Sequence, residues 1–120
     1  MVGTVDSEGY PNIKAMLNLL TNGMKTIWFS TNTASKRVAQ ILKDNRTSVY
    51  YVDQDCFVGL MLIGEMQVLQ DEESRKKLWF DGSEKYYPQG INDPDYSVLK
   101  FTAKKANFYS GLKNISFEIE

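Results

Sequence analysis

The sequence contains no histidine. That removes the usual general base near neutral pH and the commonest side-chain ligand of zinc and haem, so histidine-dependent chemistry is excluded. Cysteine occurs once, as Cys56, so no intrachain disulfide can form and a reducing compartment is expected. An inert strand cysteine is expected at that position rather than a reactive thiol. No apolar run reaches the roughly 18 residues of a spanning helix, and the opening Met1-Val2-Gly3-Thr4-Val5-Asp6 lacks the basic start and apolar core of a secretory signal. The expectation is a cytoplasmic protein with no membrane partner. An excess of either charge is missing too. Fourteen basic against 15 acidic residues leave a net charge of −1, so no global field recruits nucleic acid and any anion site must be local.

The 120 residues, 42% hydrophobic and 24% charged, suit one globular domain spanning 1–120. Val2 to Val5 is a β-branched run, and the Gly9 and Pro11 that follow mark a hairpin turn. The next strand, about Asn12 to Leu20, places Ile13, Ala15, Leu17 and Leu19 on one face and Lys14, Met16 and Asn18 on the other. Thr26 to Ser30 is a third strand. Ala34, Val38, Ile41 and Leu42 then recur at helical spacing, giving a helix at about 34 to 44.

Thr47 to Asp53 and Phe57 to Leu69 read as strands around a Gln54-Asp55 turn, with Gly59 and Gly64 as bulges or close approaches. Asp71 to Phe80 reads as a second helix with an acidic first turn. The loop from Gly82 to Asp95 holds two of the three prolines. Val98 to Phe101 and Ile115 to Ile119 close the pattern, with Thr102 to Asn107 either a helical turn or a continuation. Trp28, Phe29, Tyr50 and Tyr51 are assigned to the core, and Trp79 to helix packing. Six or seven strands with two helices and no βαβ alternation give a mainly β fold, a barrel or closed antiparallel sheet.

One constellation carries chemistry. Ser30 and Thr31 end a strand, and Asn32-Thr33-Ala34-Ser35-Lys36-Arg37 opens a helix. Hydroxyls, first-turn amides and two cations together suit a phosphate, which a guanidinium grips with two bonds at once. Cations in a first turn oppose the helix dipole by a few tenths of a kcal/mol unless an anion sits there. The plain alternative is that Ser30, Thr31 and Thr33 only cap the helix while Lys36 and Arg37 are solvated. Lys14 is a third candidate cation.

These segments resemble the pyridoxamine 5′-phosphate oxidase-like FMN-binding split barrels, in particular their general stress protein branch. The resemblance runs through Thr4 to Pro11 with Lys14 and Met16, through Trp28 to Asn32 and Ser35 to Arg37, through Gly64-Glu65, and through Tyr87 to Tyr96. It implies a homodimeric split barrel of six to seven strands with FMN at the subunit interface. Ser30, Thr31, Ser35, Lys36, Arg37 and Lys14 would hold the phosphate. The main chain of Lys14, Ala15, Met16, Leu17 and Asn18 would meet the flavin edge, and Tyr109 would be contributed by the partner.

Three departures qualify the match. The chain begins at the first strand, without the family's N-terminal helix, so one barrel end is expected to be open or covered by the partner. Lysine stands at position 14 where arginine is commoner, which forfeits bidentate geometry. The oxidase's Arg-x-His substrate motif is missing, so the implied function is that of an FMN-dependent oxidoreductase other than the oxidase itself, with catalytic residues unassigned. The alternatives are a non-catalytic flavin, deazaflavin or haem module, haem being least suited, or a dimer whose flavin site has decayed. No metal site is expected.

Overall fold

A computed structural model describes residues 1–17 and 20–120. Among these, eight antiparallel strands and two α-helices appear in the order β1 Val2–Val5, β2 Pro11–Lys14, β3 Leu20–Asn22, β4 Thr26–Asn32, α1 Lys36–Lys43, β5 Arg46–Asp53, β6 Val58–Leu69, α2 Glu72–Leu78, β7 Tyr96–Ser110 and β8 Lys113–Glu118. The strand order is β2-β1-β5-β6-β7-β4-β3, with β8 pairing with β7. The sheet's outer strands, β2 and β3, are consecutive in the chain. Six residue steps from Lys14 to Leu20 span at most about 20 Å, so a sheet seven strands across must curl until its edges approach. The expected mainly β barrel architecture follows from that one short link.

Alternation places one face of each strand inside. Ile27, Phe29 and Thr31 of β4 are buried, as are Val2 and Thr4 of β1 and Thr47 and Val49 of β5. With Leu62 and Met66 of β6, Leu99, Phe101, Ala103 and Ala106 of β7, and Ile41 of α1, they form the barrel core. Phe29 joins the core as expected, whereas Tyr51 is exposed. A second cluster lies where α2 packs against the sheet, made of Leu78, Tyr87, Tyr96 and Val98, with Trp28 and Trp79 against it. Trp79 is thus the packing anchor expected, its ring centroid 5.4 Å from that of Tyr96.

Several boundaries differ from the sequence reading, each for a local reason. The β1–β2 turn is tied by Asp6, whose Oδ1 accepts from the amides of Glu8 and Tyr10, while Gly9 adopts φ 87°, which favours glycine. The strand that follows is shorter than the Asn12 to Leu20 span: β2 ends at Lys14 and β3 starts at Leu20. The aliphatic face assigned to it points outward, with Ile13 and Leu17 each 71% exposed. Met16, from the other face, packs against the core.

Thr102 to Asn107 continues β7 as strand. The register shifts between Ile63 and Gly64, a bulge at which β7 exchanges one neighbour for another. Below it β7 pairs with β4 as far as Thr102, and beyond it with β8 from Lys105. The amides at the junction remain bonded, Ala103 N–H to the Lys25 carbonyl at 2.7 Å and Ile119 N–H to the Lys104 carbonyl at 2.9 Å. Two short 3-10 turns, Ser83–Lys85 and Gly90–Asn92, punctuate the proline-containing loop. Cys56 is exposed in the turn after β5 rather than placed in a strand.

Candidate functional site

The site is built where β4 hands the chain to α1. Strand alternation buries Thr31, 4% exposed, and the turn that follows brings Ser35 to the N-cap, where its Oγ accepts from the Val38 amide at 3.3 Å. The first turn of α1 contains no acidic residue, and its Lys36 and Arg37 face the positive end of the helix dipole. Arg37 folds back so that Nη2 donates to Thr31 Oγ1 at 3.1 Å. Among the described residues, its buried Nε finds no hydrogen-bond partner.

These groups open on a cleft of about 480 Å³ between α1 and the β1–β2 hairpin. Lys14, Lys36 and Arg37 supply three cations from two elements, Ser35 a hydroxyl, and Asn12, Asn32 and Gln40 side-chain amides. Among the described residues no carboxylate lines it. The structure therefore brings Lys14, Ser35, Lys36 and Arg37 together, with Thr31 attached through Arg37.

The other site residues expected from the sequence are placed differently. Ser30 sits on the opposite face of β4 from Thr31 and points toward Tyr87, whose hydroxyl burial pushes up and the Ser30 hydroxyl partly relaxes. Ala15 and Leu17 are exposed on the segment leaving β2, and Met16 is half-buried. Asn18 lies outside the described residues.

Tyr109 does not line the cleft of its own chain. It pairs with Gly59 and Asn114 near the end of β7, whereas Ser97, at the other end, pairs with Thr31. There it stacks on Tyr50 with a centroid distance of 6.5 Å, and the two hydroxyls are hydrogen-bonded. That bond is the main reason the Tyr50 hydroxyl titrates above its ordinary value.

Sequence reasoning missed Thr4, Gln40 and Asp95. Gln40 lies three and four residues after Arg37 and Lys36, so helical spacing alone places it on their face. Thr4 Oγ1 donates to Gln40 Oε1 at 2.6 Å, which leaves the amide nitrogen of Gln40 free to donate. Asp95 gave no local signal because it reaches the turn from 61 residues away.

An antiparallel sheet curled into a barrel, with two helices and a cleft lined by three cations at a strand-to-helix junction, defines a split barrel. The chain belongs to the pyridoxamine 5′-phosphate oxidase family, whose model matches residues 1–110. It is similar, at 51% identity and TM-score 0.89, to a Clostridium acetobutylicum protein described as related to general stress protein 26 of B. subtilis, of the pyridoxinephosphate oxidase family; 99% of this chain and 84% of that one are covered. General stress protein 26 of Bacillus anthracis shares the fold at 16% identity and TM-score 0.78, covering 98% and 86% of the two chains. A haem-binding protein of Mycobacterium smegmatis shares it at 19% identity and TM-score 0.76, covering 98% and 51%. No curated protein matches the chain.

Proposed function

We propose that the chain binds flavin mononucleotide by its phosphate in the cleft between β2 and α1, as a homodimer, and acts as an FMN-dependent oxidoreductase. The observation that carries this reading is the Arg37 guanidinium, anchored to Thr31 by one nitrogen while its buried Nε has no acceptor among the described residues. A buried donor without a partner costs about 1–3 kcal/mol, and first-turn cations oppose the helix dipole. A phosphate dianion in the cleft offsets the opposed dipole and accepts from the guanidinium N–H groups that Thr31 leaves free, and Lys14 and Lys36 stand beside it as further charges.

FMN supplies the electron-transfer chemistry when bound. The protein's part is to grip and orient. Arg37 offers a fixed fork, Lys14 and Lys36 are mobile point charges, and Ser35 and Gln40 add neutral donors. The main chain of Ala15 to Leu17 leaves β2 directly after Lys14, next to whatever extends from the phosphate.

Two observations support the dimer. An apolar cleft of about 730 Å³ on the outer face of β1, β2, β5 and β6 is lined by Val5, Ile13, Tyr50, Met61 and Ile63, and a second copy would cover it. Tyr109 stacks on Tyr50 of that cleft's lining and so stands beside the face a second copy would cover, where the Tyr109 of the partner subunit would complete a flavin site.

A flavin carrier without turnover is the second reading, favoured by the cleft's lining: its titratable groups among the described residues are all cations, with no acid or base suited to neutral pH. Haem is poorly served, because imidazole is absent from the sequence and, among the described residues, no sulfur lines this cleft. The test is to purify the protein, record its absorbance and identify what heating releases. Released FMN that a nicotinamide donor reduces on the protein supports the oxidoreductase, and FMN inert to donors supports the carrier. A colourless protein that ignores added FMN overturns both.

A further inference from the structure

We propose that Asp95 is the positioning residue of the anion cleft, holding the β4–α1 turn so that Ser35, Lys36 and Arg37 converge on one phosphate; this rests on the phosphate reading above. The turn contains neither glycine nor proline. Its internal backbone tie is Ser35 N–H to the Asn32 carbonyl at 3.0 Å. Asp95 makes three more bonds to it: its carbonyl accepts from Thr33 N–H at 2.8 Å, Oδ1 from Ala34 N–H at 3.0 Å, and Oδ2 from Asn32 Nδ2 at 2.7 Å.

Asp95 is itself braced. Its amide donates to Asp93 Oδ1 at 3.0 Å, and the other Asp93 oxygen accepts from the Gln89 amide at 3.1 Å. Asp93 is 5% exposed, so the grip is anchored in the interior of the proline-containing loop. Thr33 is drawn the same way, its Oγ1 sharing a 2.6 Å hydrogen bond with Ser97 Oγ and accepting from Gln70 Nε2 at 3.2 Å.

Two consequences follow. The Ala34 amide and one N–H of the Asn32 side chain are taken by Asp95, so an incoming anion is directed to the Lys36–Arg37 end. The carboxylate is not among the groups lining the cleft, so it orders the turn without presenting a negative charge to the ligand. Fixing the turn in advance spares the ligand that ordering cost.

The test is the ratio of FMN to riboflavin affinity, measured by flavin fluorescence on the cofactor-free dimer, for wild type, Asp95→Ala and Asp95→Asn, with a thermal melt of each. Asp95→Ala is expected to lose at least tenfold in FMN affinity while riboflavin changes less than threefold. Asp95→Asn keeps an acceptor for Ala34 N–H and can pair with a rotated Asn32 amide, so it should return to within threefold of wild type. If Asp95→Ala does not fold, Asp95→Ser, too short to span both donors, is expected to show the same selective loss. A folded Asp95→Ala or Asp95→Ser protein with the wild-type ratio overturns the proposal while leaving the phosphate reading intact. A wild type without preference for FMN overturns both.

Discussion

Arg37 and Thr31 are joined across the junction of α1 and β4 by a 3.1 Å hydrogen bond from Nη2 to Oγ1, which tethers one nitrogen of the guanidinium to the buried strand. Removing that fork together with its neighbour's charge, as Arg37→Ala with Lys36→Ala, should weaken FMN at least tenfold, about 1.4 kcal/mol. Arg37→Lys should recover little of it, because an ammonium cannot bond Thr31 and two phosphate oxygens in one plane. Fluorescence titration with FMN reads both variants.

Gln40 should behave as a donor to the ligand. Thr4 occupies its oxygen, so Gln40→Glu replaces the amide with a carboxylate in a cleft built for an anion. FMN affinity is expected to fall about tenfold, near 1.4 kcal/mol, and the melting temperature to stay within a few degrees. Unchanged affinity would place Gln40 outside the ligand's reach.

The two glycines of β6 should respond differently to alanine. A Cβ on Gly64 would lie 2.0 Å from the Thr102 carbonyl oxygen and 2.9 Å from Ala103 Cα, both backbone atoms beside the bulge. Gly64→Ala should therefore destabilise by about 3 kcal/mol in chemical denaturation. A Cβ on Gly59 meets the Tyr109 ring at 2.4 Å, which a side-chain rotation relieves. Gly59→Ala should cost about 1 kcal/mol, and FMN affinity should drop through the displaced Tyr109.

Stability should fall in alkali. Tyr96 is buried and its hydroxyl donates to the Arg75 carbonyl at 2.8 Å; burial, with Tyr87 beside it, pushes its pKa up to about 12. An unfolded tyrosine titrates near 10. Between those values the folded state holds a proton that the unfolded state has lost, so this contribution is complete below pH 10 and declines toward pH 12. Denaturant midpoints measured across that range should fall less steeply for Tyr96→Phe. At neutral pH that variant should be less stable by about 1 kcal/mol, because the Arg75 carbonyl loses one of its two donors and keeps only the Trp79 amide.

The apolar outer face should govern assembly. Ile13 and Ile63 are 71% and 41% exposed in the single chain. Ile63→Glu should sediment as a monomer and bind FMN more weakly, since Tyr109 would no longer be supplied by a partner. A variant that stays dimeric would move the interface elsewhere.

Much of this arrangement was legible in the sequence where cause and effect are close along the chain. The hairpin followed from Gly9 and Pro11, α1 from the spacing of Val38 and Ile41, and the cationic helix start from Ser35, Lys36 and Arg37 standing side by side. Alternation also separates Ser30 from Thr31, so adjacency in the chain, which suggests one shared ligand, places the two hydroxyls on opposite faces of β4. What stayed hidden is long-range or points to a partner. The aliphatic face carrying Ile13 and Leu17 reads as core by pattern, yet it is turned outward. Lys104 and Lys105 interrupt the alternation of β7 because a bulge sits there. Asp95 reaches the site from a distant loop, and nothing near it in sequence reveals the turn it holds.

The central claim is that the cleft recognises a phosphate, and the direct measurement is a calorimetric titration of the cofactor-free protein with FMN and with riboflavin under identical salt. The account predicts that FMN binds at least tenfold more tightly and that inorganic phosphate competes with it. Equal affinity for the two flavins, with no competition by phosphate, would contradict it.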